Sequence, residues 1–319
     1  MAVFTRVDQG QVESFLADYS CGALQSFTEI AEGTQNSNFH VFTDRARYVL
    51  TLFEANFPPD EIAFFLGFMN ALNAAGIACP EVQRRWDGAF TGAIAGKTAL
   101  LISFLSGQSI PKDSIAPSHC AALGTAVARM HREGSRFPLT KHNREGLPFL
   151  KALADKIRTR KAQTEALQPG LTEAIDAEFA WLEAHIPNDL PHGALHADIF
   201  PDNVFFEATR LTGIIDFYYA CTATLVYDLA IVVSAWCFDV ENQFRRERFD
   251  ALIAAYQAVR PLEQREIDSF QAFSRAASMR FLMTRLHDWV FHDPANLVTP
   301  RDPLEYAGKL TFHQHHDLF

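Results

Sequence analysis

The segment His196-Ala197-Asp198-Ile199-Phe200-Pro201-Asp202-Asn203 carries the pattern H-x-D-x-x-x-x-N. Thirteen positions after Asn203, the apolar run Gly213-Ile214-Ile215 ends in Asp216. That interval has room for one hairpin, which would bring Asp216 beside Asn203. Two carboxylates and a carboxamide would then converge. Phosphoryl transfer uses such a set: one acid orients the attacking hydroxyl, and an Asn and an Asp hold Mg²⁺ on the phosphates. At its ordinary pKa of about 3.9 an Asp is ionised at neutral pH, as each of these roles requires. The competing reading makes Asp198 a turn residue, Asn203 a cap and Asp216 a strand-end acid.

Other chemistries lack their residues. No G-x-S-x-G nucleophile elbow and no G-x-x-x-x-G-K-[ST] loop occurs. His192 and His196 are spaced like a helical zinc pair, but Pro191 and Gly193 argue against a helix and no Glu follows His192. The five cysteines are scattered without a C-x-x-C pair, so buried or incidental thiols are expected. His313, His315 and His316 suggest a solvated last turn or a frayed tail.

The elements that must position the candidate residues follow from composition and periodicity. At 319 residues, with 48% hydrophobic and 21% charged types, the chain has the profile of a folded protein of two lobes. Its net charge of −10, from 28 basic and 38 acidic residues, argues against general binding to nucleic acid or to an anionic membrane. A local basic pocket for a small anion stays open. The longest apolar runs, 62–69 and 225–238, are too short to span a bilayer. The N-terminus lacks a basic-then-apolar signal pattern, so a cytoplasmic location is expected.

A helix is expected after Asp8, then strands over 24–31, 38–43 and 48–53, a helix from Pro58 to about Ala75, and strands over 82–85, 89–95 and 99–105. Beyond Ser106–Ser109 the pattern turns helical, over 118–132, 149–168 and 171–185. A loop-and-strand insert over 191–217 interrupts it, and helices resume over 225–238, 243–259, 263–289 and 303–313. The expected division is a strand-rich lobe over 1–106 and a larger helical lobe over 107–319.

The segment around Asp198 resembles the phosphotransferase loop of the aminoglycoside phosphotransferase and choline kinase superfamily, relatives of protein kinases. The strings Gly33-Thr34-Gln35-Asn36-Ser37-Asn38-Phe39, Tyr48-Val49-Leu50-Thr51-Leu52-Phe53-Glu54, His196–Asn203 and Ile215-Asp216-Phe217-Tyr218-Tyr219-Ala220-Cys221 resemble its homoserine kinase branch. The resemblance runs from about residue 24 to residue 290. It implies an α+β, two-lobed protein-kinase-like fold, with a small antiparallel-sheet lobe and a larger, mostly helical lobe. It also implies phosphoryl transfer from ATP, with Mg²⁺, to L-homoserine, giving O-phospho-L-homoserine on the route to threonine.

By position, the resemblance makes Asp198 the catalytic acid, Asn203 and Asp216 the metal ligands, and His196 a brace for the loop. The turn from Gly33 to Asn38, with Asn36, Ser37 and Asn38, would lie over the ATP phosphates, or else be an ordinary Asn-rich hairpin turn. Ser103 and Leu105 would belong to a hinge whose backbone faces adenine. Three positions depart from the kinase pattern: Thr51 stands where a strand lysine is usual, Glu61 then lacks that partner, and Ala194 replaces an acid. An amino-acid acceptor needs a cation for its carboxylate. Arg280 and Arg285 are the candidates, unless they pair with local acids such as Asp288. Tyr219, with Phe217, Tyr218 and Trp236, either shapes the acceptor pocket or is core. The alternatives are a kinase for choline, methylthioribose or an aminoglycoside, and a nucleotide-binding pseudokinase.

Overall fold

The computed structural model describes residues 4–31, 36–293 and 299–319; Gly33 lies outside them. The chain forms two compact units, one of residues 1–107 with 212–215, the other of 108–211 with 216–319.

In the first unit, α1 (Gln9–Leu16) starts where the Asp8 carboxylate accepts the Gln11 N–H and the Gln11 side chain accepts the Asp8 N–H. This reciprocal cap satisfies two donors that a helix start leaves open. Strands β1 (Leu24–Glu29), β2 (Asn36–Thr43) and β3 (Arg47–Phe53) form an antiparallel meander. Next comes α2 (Pro59–Ala74), with Pro59, Asp60 and Glu61 in its first turn. Strands β4 (Thr91–Ile94) and β5 (Lys97–Ser103) complete a five-stranded sheet of order β1-β2-β3-β5-β4. Leu50 in β3 faces Phe39 in β2 and Leu101 in β5, and all three are fully buried under α1 residues Val12, Phe15 and Leu16.

Two expectations fail here. Residues 82–85 make only isolated bridges, because Val82 pairs with Ile102 and Arg85 with Tyr19, two different neighbours that allow no continuous ladder. Asn36, Ser37 and Asn38 belong to β2 rather than to a turn.

The second unit begins with β6 (Gln108–Ser109) and α3 (Pro117–Gly134), followed by α4 (Leu147–Arg158), α5 (Lys161–Leu167) and α6 (Leu171–His185). The single helix expected over 149–168 is broken at Thr159-Arg160, where the Thr159 hydroxyl donates to the Lys156 carbonyl and competes with the helix ladder. Then come β7 (His192–Leu195), β8 (Val204–Glu207), β9 (Arg210–Ile214, whose last three residues count with the first unit), β10 (Cys221–Thr224) and α7 (Leu225–Trp236). Every residue of α7 is buried, including Asp228.

The last elements are α8 (Arg246–Val259), α9 (Gln264–Asp268), α10 (Phe270–Val290) and α11 (Leu304–His315). A break at Ser269 divides the helix expected over 263–289, and the Ser269 hydroxyl donates to the Arg265 carbonyl. Contrary to a solvated last turn, His313 is buried between the Phe238 and Phe312 rings, 3.4 Å from the Ser234 hydroxyl. All five cysteines are free and buried. Among the described residues no helix is long and apolar enough to cross a membrane.

Candidate active site

Strands β7 and β10 pair antiparallel, with Leu195 opposite Cys221. The chain leaving β7 and the chain entering β10 therefore meet at one end of the ribbon. The first carries His196–Asp198 and the second Asp216–Ala220. Asn203 ends a single turn of 3₁₀ helix just before β8, and β9 ends two residues before Asp216. The β8–β9 excursion thus starts and finishes beside the same spot.

The loop around Asp198 is held from several directions. The Asp198 N–H donates to His196 Nδ1 at 3.2 Å, the bracing role expected of His196. Asn203 Nδ2 donates to the Asp198 carbonyl at 2.9 Å and to its Oδ2 at 3.3 Å. Trp236 Nε1 donates to the Ile199 carbonyl at 2.9 Å. Arg280, almost wholly buried, donates to the Ala197 carbonyl and forms an ion pair with Glu145.

Beneath the loop, the Asp228 carboxylate accepts the backbone N–H groups of His196 (3.2 Å) and Ala197 (2.8 Å) and contacts His131 Nε2 at 3.0 Å. Burial alone would raise the Asp228 pKa. The His131 hydrogen bond and charge, the His196 charge and the Ala197 N–H more than offset it, so the group stays ionised. Ala197 and Asp216 both lie in the left-handed region, at φ of 64° and 69°. For a residue with a Cβ this costs about 1–2 kcal/mol, which the surrounding bonds offset.

The two acids are half-buried and electrostatically coupled. Burial, then Glu145 and Asp202, push the Asp198 carboxyl up to about 6, against the pull of Arg280 and Arg301. Burial, then repulsion from Asp198 and Asp202, push Asp216 up to about 7, although the Tyr218 N–H favours its charged form. Asp216 Oδ1 is buried with no hydrogen-bond partner among the described residues. An oxygen so placed is costly unless a cation or a proton takes it. Asn203 has spent its donors on Asp198, which leaves its side-chain oxygen as an acceptor. Hard oxygen donors of this kind suit Mg²⁺, with phosphate oxygens and water completing the shell.

The other expected site residues are distributed as follows. Ser37 is fully buried: its hydroxyl accepts the Phe4 and Thr5 N–H groups and donates to Glu54. The Asn38 side-chain oxygen accepts from the Thr51 hydroxyl at 2.7 Å, so Thr51 serves the sheet. Asn36 is buried, and its Oδ1 has no hydrogen-bond partner among the described residues. Glu61 is a buried first-turn acid of α2. The Ser103 N–H and hydroxyl both engage the Glu81 backbone, and Leu105 packs on Gly213.

The partners of the arginines are acids, but not Asp288, which contacts His287. Arg280 takes Glu145, and Arg285 takes Glu305 at 2.7 Å. Tyr219 lies in a 3₁₀ turn with its ring 5.3 Å from the Arg280 guanidinium. Phe217 packs on the His196 ring at 4.5 Å, and Trp236 is core. Sequence reading missed Glu145 and the bracing role of Asp228. A lone acid inside the apolar run 225–238 was a signal for Asp228. Nothing local marks Glu145.

An antiparallel-sheet unit, a mostly helical unit and this loop define a small-molecule kinase of the two-lobed, protein-kinase-like fold. The chain belongs to the phosphotransferase enzyme family, whose model matches residues 26–262, and within it to the homoserine kinases. It is 45% identical to the homoserine kinase of Parvibaculum lavamentivorans, covering 98% of this chain and 96% of that one. It is 43% identical to the homoserine kinase of Methylobacterium radiotolerans over the same shares. Among solved structures it resembles an amicoumacin kinase in complex with AMP-PNP and Ca²⁺, with a TM-score of 0.72, 14% identity, and coverage of 98% of this chain and 95% of that one.

Proposed function

We propose that this chain transfers the γ-phosphoryl group of ATP to the hydroxyl of L-homoserine, with Asp198 as the catalytic acid and Asn203 and Asp216 as the ligands of Mg²⁺. Family kinship supports the acceptor. One observation supports the site reading: Asn203 is bonded to Asp198, while Asp216, whose carboxyl feels the Asp198 charge, keeps a buried oxygen without a hydrogen-bond partner among the described residues.

Asp198 accepts a hydrogen bond from the acceptor hydroxyl and aligns its oxygen on the γ-phosphorus. A new oxygen–phosphorus bond forms as the bond to the bridging oxygen breaks, ADP leaves, and the hydroxyl proton passes to Asp198. Mg²⁺, when bound, supplies charge neutralisation on the phosphates. The chain's own contribution is alignment: His196, Arg280 and Asp228 hold the backbone up to the Asp198 N–H, and Trp236 holds the Ile199 carbonyl beyond it, before substrate arrives. The segment 33–38 and the backbone at Ser103–Leu105 are assigned to ATP. The Ser37 and Asn38 side chains, already engaged in the sheet, leave that work mainly to backbone N–H groups. The product is O-phospho-L-homoserine, and the reaction belongs to threonine biosynthesis in the cytoplasm.

An ADP-release assay with L-homoserine, choline, methylthioribose and an aminoglycoside tests the reading. Turnover is expected on homoserine, with kcat/KM at least about a hundredfold above any other acceptor. Preference for another acceptor would replace the substrate. Retained ATP binding without turnover on any would make the chain a pseudokinase.

A further inference from the structure

Within the second unit, a cavity of 330 Å³ opens beside the stretch Phe200–Asp202 that follows Asp198. Six charged residues line it: Lys112, Arg285, Arg301 and Lys309 against Asp202 and Glu305. Three of the cations crowd one carboxylate, with Lys112 2.8 Å, Arg285 2.7 Å and Lys309 2.7 Å from Glu305. Arg301 pairs with Asp202 at 2.8 Å, and both are well exposed. Among the lining residues the cations outnumber the acids by two, in a chain whose net charge is −10.

Two of the four cations are shielded from water. The Lys309 and Arg285 side chains are 1% and 11% exposed. Burial, with Lys112 and Arg285 adding to it, brings the Lys309 ammonium down to about 8 even though Glu305 touches it. The protein has gathered more positive charge here than it neutralises, and a small anion would relieve that.

We infer that this cavity is the seat of the acceptor's α-amino-acid end, with Arg301 receiving the carboxylate and Asp202 the ammonium. The inference rests on the homoserine reading and names the residues that give it specificity. An α-amino acid carries its two charges on groups attached to one carbon. Its dipole can therefore lie antiparallel along the Arg301–Asp202 pair without breaking it, while the buried cations draw the carboxylate inward. A phosphate fits less well, because Asp202 and Glu305 would face it. The side chain of the bound amino acid then extends along the loop, which runs from Phe200–Asp202 back to Asp198.

Steady-state kinetics of the full chain test this with Arg301→Ala and Asp202→Asn, a charge-keeping Arg301→Lys control, and two acceptors that each lack one charged group. Arg301→Ala is expected to raise KM for L-homoserine about tenfold or more, leave KM for ATP within twofold, and abolish the wild-type preference for homoserine over L-homoserinamide. Asp202→Asn is expected to abolish instead the preference over 4-hydroxybutanoate, which lacks the amine. Arg301→Lys, which keeps the charge, should recover part of the loss. Homoserine turnover with unaltered KM in both variants would overturn the pocket and leave the substrate reading intact. Turnover of a different hydroxylated amino acid, with the same dependence on Arg301, would overturn the substrate and keep the pocket. A wild-type chain inactive on every amino acid would overturn both.

Discussion

Asp198 must be charged to align a hydroxyl, yet its surroundings push its carboxyl up to about 6. Replacing the charge with an isosteric amide separates the two effects. Asp198→Asn keeps a side chain of the same shape beside Asn203 and removes a carboxylate that burial and two neighbouring acids disfavour. Turnover on homoserine should fall by about 10³-fold or more, while the melting temperature holds or rises and KM for ATP stays within a few-fold. Retained turnover, read as ADP release, would remove Asp198 from the chemistry. Asp216→Asn probes the metal. It should abolish the Mg²⁺-dependent rise in melting temperature while stabilising the metal-free chain at pH 8 by ~1–2 kcal/mol, because it replaces a costly buried charge. An unchanged Mg²⁺ response would contradict its role as ligand.

At the scale of elements, the loop is only as good as α7, α10 and β7, which hold it. Asp228 on α7 accepts two backbone N–H groups and His131, and an amide can satisfy fewer of them. Asp228→Asn is therefore expected to cost about 2–4 kcal/mol in urea unfolding and to lower kcat together with stability. Ala197 already tolerates a left-handed backbone, so Ala197→Gly should be nearly neutral, within about 1 kcal/mol, the relieved strain offsetting the greater freedom of the unfolded chain. Gly134 at the end of α3 is a different case. A Cβ there would lie 1.9 Å from the Ala194 carbonyl oxygen, and β7 leads straight into Asp198. Gly134→Ala should destabilise the chain by about 3 kcal/mol or more, or prevent folding, as circular dichroism would show. Among these elements, what depends on local order was legible in sequence. Asp8 capping α1, the prolines opening α2 and the periodicity of α6 are written within a few residues. The breaks at Thr159 and Ser269 were not, since a hydroxyl can point outward or turn back on the helix with equal ease. The strand assignment of Asn36–Asn38 depends on Glu54 and Thr51, far along the chain.

For the whole molecule the same distinction decides what could be read. The positions of Asp198, Asn203 and Asp216 follow from spacing and one hairpin. The environment that sets the charge of the two acids is burial first; for Asp198 it is then Arg280 and Glu145, 135 residues apart in sequence, and no local pattern encodes such a meeting. That burial, with the neighbouring charges, gives the stability of the chain a distinctive pH dependence. Asp198 and Asp216 have folded pKa values of about 6 and about 7, above the unfolded value. The folded state therefore binds more protons than the unfolded chain between about pH 4 and pH 7, and stability rises as pH falls through that window. Glu54, Asp228, Asp239 and Glu305 have the opposite sign. Burial pushes each up, but hydrogen bonds and nearby cations prevail and hold all four below the ordinary range. Their contribution is present above about pH 4 and is lost as pH falls further. Melting of the metal-free chain in EDTA is thus expected to peak near about pH 5 and to fall toward pH 8. A general loss of net negative charge on acidification would give a similar slope, and Asp216→Asn separates the two. If the coupled acids cause the slope, the variant flattens most of the change between pH 5 and pH 8, and Mg²⁺ flattens it in the wild type. If surface charge causes it, both curves keep the wild-type slope, and the convergence of the two aspartates around one cation fails with it.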